Sequence, residues 1–112
     1  MNDSRFSEYR TMWVFVLFDL PTETKKDRKE AFKFRKNLLS FGFTMFQFST
    51  YIRHCASSEN AQVYTRRIRE ILPAYGKVGI LTLTDKQFGN MILYIGAKRK
   101  EMATPPAQLE LF

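Results

Sequence analysis

One carboxylate stands out by its position: Asp19 lies in Phe18-Asp19-Leu20-Pro21-Thr22, directly after the apolar run Met12-Trp13-Val14-Phe15-Val16-Leu17. A short run rich in β-branched and aromatic residues reads as a central strand covered on both faces. Asp19 emerges where that strand ends, Pro21 breaks it, and Thr22 or Thr24 can cap the helix that comes next. Functional groups of α/β scaffolds collect on such strand-to-helix turns. Mg²⁺ is held by one or two carboxylates plus several waters, so two symmetry-related Asp19 side chains could share one ion at a dimer axis. A purely structural role, in which Asp19 satisfies turn and helix-start amides, accounts for the residue equally well. Metal-assisted phosphodiester hydrolysis ordinarily uses two ions or a dedicated base, and one chain shows neither clearly.

Other chemistry is sparse. The single histidine, His54, stands next to the single cysteine, Cys55, with no second His or Cys at metal-ligand spacing, so a structural or surface role is expected rather than zinc binding. A lone cysteine also forms no intramolecular disulfide. No Ser-His-Asp constellation is visible. Phe41-Gly42-Phe43-Thr44-Met45-Phe46 partly matches the RNP1 pattern, whose aromatics stack on RNA bases. It follows the first helix instead of lying on the third strand, and Leu39 and Ser40 replace the basic residue and first glycine of the pattern.

Eighteen Lys and Arg against eleven Asp and Glu give 112 residues a net charge of +7, which suits a polyanionic partner such as nucleic acid. The segment from Thr24 to Leu39 reads as a helix opened by a capping box between Thr24 and Asp27, with Ala31, Phe34 and Leu38 at helical spacing. At about 100° per residue, Lys25, Lys29, Lys33 and Lys36 fall in a stripe opposite them, flanked by Arg28 and Arg35. With Arg53 and Arg66 these residues are the candidate contacts to nucleic acid.

Residues 1–11 read as a flexible arm, 12–96 as one domain and 97–112 as a basic, then Pro-containing tail. Phe43 to Phe48 and Thr50 to Cys55 read as a hairpin interrupted near Gln47-Phe48-Ser49. A second helix opens at Ser57 or Ser58, carries Ala61, Tyr64, Ile68 and Ile71 on its apolar stripe, and stops before Pro73. Lys77 to Thr84 supplies a fourth strand and Asn90 to Gly96 a short fifth. The order β-α-β-β-α-β plus one strand is the α+β, ferredoxin-like arrangement, an antiparallel sheet with both helices on one face. The opposite face would then be bare, and the aromatic excess in Trp13, Phe15, Phe43, Phe46 and Phe48 calls for cover, most simply a second copy in a homodimer. No segment has the length or flanks of a signal peptide or membrane span, so a cytoplasmic protein without membrane contact is expected.

With these features placed, the chain resembles the small adaptation subunit of CRISPR systems, the second of the two universal CRISPR-associated proteins. The resemblance covers roughly residues 11 to 96. It rests on Phe18-Asp19-Leu20-Pro21-Thr22, on Asp27-Arg28-Lys29 with Phe34-Arg35-Lys36-Asn37-Leu38-Leu39, on Gly42-Phe43 through Gln47-Phe48-Ser49-Thr50-Tyr51, and on Leu81-Thr82-Leu83-Thr84-Asp85-Lys86-Gln87-Phe88. Together these look like the subfamily of type II systems. Thr50 departs from it, since the family more often carries Val there. The resemblance implies a ferredoxin-like homodimer that bridges dimers of the CRISPR integrase catalytic subunit and holds captured DNA for insertion as a new spacer. It also implies an alternative: a Mg²⁺-dependent endonuclease acting on RNA or DNA, with Asp19 as the metal ligand and catalytic residue. An RNA-recognition binding module is a second alternative.

The last five residues, Gln108-Leu109-Glu110-Leu111-Phe112, resemble the peptide by which bacterial replication and repair proteins dock on the sliding clamp. Thr104-Pro105-Pro106 would hold that peptide extended. Gln108, Leu109, Leu111 and Phe112 would then be the partner-binding residues.

Overall fold

A computed structural model describes residues 11–102 of the chain. All of the expected arm except Thr11, and the tail peptide Gln108 to Phe112, lie outside the described residues. The elements begin β1 (Met12–Asp19), α1 (Lys25–Ser40), β2 (Thr44–Gln47), β3 (Thr50–Cys55), α2 (Ser58–Arg69) and β4 (Lys77–Thr84). Four strands form one sheet in the order β2-β3-β1-β4, with β1 antiparallel to both of its neighbours. This is the ferredoxin-like arrangement expected from the element order.

Each boundary has a local cause. The Thr24 hydroxyl accepts from the Asp27 backbone N–H at 3.0 Å and the Asp27 carboxylate accepts from the Thr24 N–H at 3.2 Å, so the capping box opens α1 one residue after Thr24. At its other end Gly42 adopts φ +89°, a left-handed conformation that suits glycine, and the Phe43 N–H reaches back to the Leu38 carbonyl at 3.1 Å. Ser57 caps α2 by accepting from the Asn60 N–H at 3.0 Å, and that helix ends at Arg69, short of Pro73. The register of β2 against β3 shifts between Met45 and Gln47, where an irregularity was expected.

Strand alternation divides the apolar residues of β1 into two sets. Val14, Val16 and Phe18 pack with Phe34 and Leu38 of α1 and with Ala61 and Ile68 of α2, which places both helices on one face. Trp13 and Phe15 point the other way, into a second cluster with Ile52 and Phe88.

That second cluster differs from expectation. Asp85–Gly89 forms a five-residue helix, α3, capped by a second box in which Thr84 and Gln87 exchange hydrogen bonds at 2.9 and 3.1 Å. It drives Phe88 onto Trp13 with ring centroids 4.1 Å apart and planes 13° apart. One end of the face opposite the helices is thus covered by the chain itself and needs no second copy there. Phe43, counted among the aromatics awaiting cover, instead sits in the helix-side core at 1% exposure. The strand expected over Asn90 to Gly96 is the shorter β5 (Leu93–Ile95), and it pairs with β6 (Lys98–Lys100) in a separate two-stranded hairpin. Gly96, at φ +65°, makes that turn possible.

Candidate nucleic-acid interface

The charge of the chain is not evenly spread. Helix α1 carries seven basic residues against Asp27 and Glu30, and α2 carries Arg66, Arg67 and Arg69 against Glu59, so the helix layer holds a net +7, equal to that of the whole chain. Everything outside the two helices sums to neutrality.

On α1 the sequence phase holds: Ala31, Phe34 and Leu38 are buried while Lys25, Lys29, Lys33 and Lys36 are all exposed. At a rise of about 1.5 Å per residue the stripe from Lys25 to Lys36 runs about 16 Å. Alongside a DNA duplex, with one charge per about 1.7 Å of axis, it would face on the order of nine phosphates. That geometry is a line of charge along a polyanion, not a pocket for one anion.

The arginines divide. Arg28 is exposed, but one guanidinium nitrogen donates to the Thr22 and Glu23 carbonyls at 3.0 and 3.1 Å, tying the helix to the preceding loop. Arg35 is half-buried between the Phe18 and Phe48 rings, its guanidinium carbon 5.4 and 4.7 Å from their centroids. Arg53 is turned inward: it donates to the Phe41 and His54 carbonyls, both at 2.8 Å, and to the Tyr64 hydroxyl at 2.9 Å, and lies 3.8 Å from the Tyr64 ring centroid. Arg53 thereby clamps the end of α1 to β3 and α2. Arg66 is exposed and lines an open cleft of about 430 Å³ with Gln62, Thr65, Arg69, Ile80 and Thr82. Arg67 and Arg69, which the candidate set omitted, complete this basic end of α2; three arginines in a last helical turn are also favoured by the helix dipole.

Asp19 occupies a different layer. As the exposed last residue of β1 it stands opposite Lys77 of β4, and by alternation it shares a face with Trp13, Phe15 and Leu17, away from the helices. Two further segments converge on it. The Ser49 carbonyl accepts from the Phe18 N–H at 3.0 Å, and Gly76, at φ +97°, packs so tightly that a Cβ there would come within 2.8 Å of the Asp19 carbonyl oxygen. No cluster of three or more His, Cys, Asp or Glu side chains suited to a metal occurs among the described residues. Asp19 is thus not part of such a cluster within a single copy of the chain.

His54 and Cys55 serve structure. The Trp13 indole N–H donates to the Asp85 carboxylate at 2.6 Å, and the same oxygen lies 3.4 Å from His54 Nε2, joining β1, β3 and α3. Burial pushes the Cys55 thiol pKa up, against the lowering influence of the Arg53 guanidinium, as in an unreactive core cysteine. The RNP1-like segment has lost its stacking surface, because Phe43 is buried and Phe41 half-buried against the helix-side core.

Residues 12–91 match the family described as CRISPR associated protein Cas2. The chain belongs to the Cas2 family. A relative from Flavobacterium psychrophilum is 59% identical over 109 residues, covering 97% of this chain and 95% of its own. Relatives from Parvibaculum lavamentivorans and Paracidovorax avenae are 54% and 45% identical, covering 90% and 93% of this chain and 100% and 96% of their own. All three bear the name CRISPR-associated endoribonuclease Cas2. Cas2 membership gives the chain a general role in CRISPR adaptation. No helix among the described residues is long and apolar enough to cross a membrane.

Proposed function

We propose that the chain is the DNA-binding scaffold of the spacer-integration complex in antiviral defence, a homodimer that joins copies of the integrase catalytic subunit and carries captured double-stranded DNA along its helical face. The observation that carries this reading is the concentration of the full net charge in α1 and α2, a layer away from Asp19. An extended lysine stripe gives sequence-independent phosphate contact, as a scaffold for arbitrary captured DNA requires.

Dimer formation is supported by the remaining apolar surface. Leu17, which pairs with Gly79, and Leu81, which pairs with Phe15, are diagonal neighbours on the face opposite the helices and are 43% and 49% exposed, with β4 at the sheet edge. Light scattering at micromolar concentration should give twice the 13.2 kDa chain mass, and a monomer in moderate salt would contradict the proposal.

A Mg²⁺-dependent endonuclease, with Asp19 from two copies as ligands, is the second reading. It is favoured by the name its relatives carry. The two readings part at one substitution. As a scaffold, Asp19→Ala should leave reconstituted spacer integration within about twofold of wild type. Loss of integration in a normally folded Asp19→Ala dimer, with Mg²⁺-dependent cleavage of RNA or DNA by the wild-type chain alone, would favour the endonuclease. The Gln108 to Phe112 peptide would add a tether to the sliding clamp.

A further inference from the structure

We propose that Phe48, backed by the Arg35 guanidinium, is a stacking platform for one unpaired nucleobase of a DNA strand whose phosphates lie on the α1 lysines. The inference rests on the reading of α1 as the DNA-binding helix.

Phe48 sits in the turn between β2 and β3 at 71% exposure, in a position where turn chemistry favours small polar residues or glycine. A single exposed apolar side chain is ordinary, but this one is held in place. The Arg35 guanidinium lies between two aromatic rings, 5.4 Å from Phe18 and 4.7 Å from Phe48. Phe18 is itself fixed, edge-on to Phe34 at 5.2 Å and 84°, and its backbone N–H anchors the turn through Ser49 at 3.0 Å. With a cation packed against Phe48 on the protein side, its large exposed area belongs to the other side of the ring.

The surroundings select the ligand. Arg35 flanks the lysine stripe, about 100° around α1 from Lys36 at its end, so a strand leaving the stripe toward that flank would reach the turn. An aromatic ring next to a phosphate-tracking groove is the constellation that holds unpaired nucleotides, and it tolerates any sequence because every base has a π-face. Bases inside a duplex are stacked on one another and leave no face free. The platform therefore takes a nucleotide in a single-stranded tail at the end of captured DNA.

The test compares three ligands on the full chain: a blunt duplex, the same duplex with a two-nucleotide thymidine tail, and one with a two-residue abasic tail of equal phosphate count. The wild type should bind the thymidine tail about tenfold tighter than the abasic one, a ratio typical of one stacked base. Phe48→Ala should abolish the difference while leaving blunt-duplex affinity in place. Phe48→Trp should restore the preference, and the introduced indole should be quenched by the thymidine tail alone, against the unchanging signal of buried Trp13. Equal affinity of the wild type for both tails would overturn the platform while leaving the scaffold reading intact. A preference for the blunt duplex, lost in Phe48→Ala, would replace it with capping of a terminal base pair. Failure to bind any of the three would remove both the platform and the scaffold reading beneath it.

Discussion

Reversing the charge at Lys29, Lys33 and Lys36 to Glu is expected to weaken duplex DNA binding by about a hundredfold or more near physiological salt. It should also flatten the salt dependence. Each neutralised phosphate contributes about 0.9 to the slope of log K against log salt concentration, so three lost contacts should reduce it by about 2 to 3. The fold should survive, because all three side chains are exposed opposite buried Ala31, Phe34 and Leu38, and Lys and Glu have similar helix propensity. Affinity titrations of both proteins at several salt concentrations check the prediction. An unchanged slope would mean that the phosphates lie elsewhere.

The second large effect concerns stability. Phe88→Ala is expected to cost about 3–5 kcal/mol, the usual range for deleting a buried aromatic side chain. Phe88 is fully buried, stacked at 4.1 Å on Trp13, and its centroid lies 5.9 Å from that of Phe15. It is also the only buried residue of α3, so its removal takes away that short helix's apolar anchor and leaves polar contacts such as the Trp13–Asp85 hydrogen bond and the Asp85 N–H to Thr11 carbonyl bond. For a chain of this size the loss approaches the lower end of total stability, roughly 5–15 kcal/mol. Thermal denaturation followed by circular dichroism should show Tm falling by more than about 10 °C. A shift of only a degree or two would mean that α3 covers the sheet without stabilising it.

Phe88 also marks where the sequence was hard to read. The Thr84-Asp85-Lys86-Gln87 segment contains a capping box as good as that of Thr24 and Asp27, but the helix behind it is too short to develop apolar periodicity. Where periodicity had room to repeat, in α1 and α2, the pattern of Ala31, Phe34, Leu38, Ala61 and Ile68 placed both helices on one face without ambiguity. Strand alternation was equally legible in β1, whose two faces diverge at Val14 and Phe15. Phe43, counted only as part of an aromatic excess, follows the Gly42 turn and is directed into the helix-side core by the chain reversal itself. The lysine stripe was readable because helical phase alone decides it. Arg53 was not: its inward turn depends on the Phe41 and His54 carbonyls and on Tyr64, partners brought together only by tertiary packing. For the same reason the separation of Asp19 from the stripe emerges only once the sheet lies between them.

That separation permits a direct measurement. Lysine acylation read by mass spectrometry, on the full chain with and without a saturating DNA duplex, reports which layer the DNA covers. Lys77 marks the Asp19 side, being its cross-strand neighbour, while Lys25, Lys29, Lys33 and Lys36 mark the helices. The scaffold account predicts that the four α1 lysines become protected while Lys77 continues to react at its free rate. Protection of Lys77 with the α1 lysines still reactive would place the nucleic acid on the carboxylate face and contradict the account.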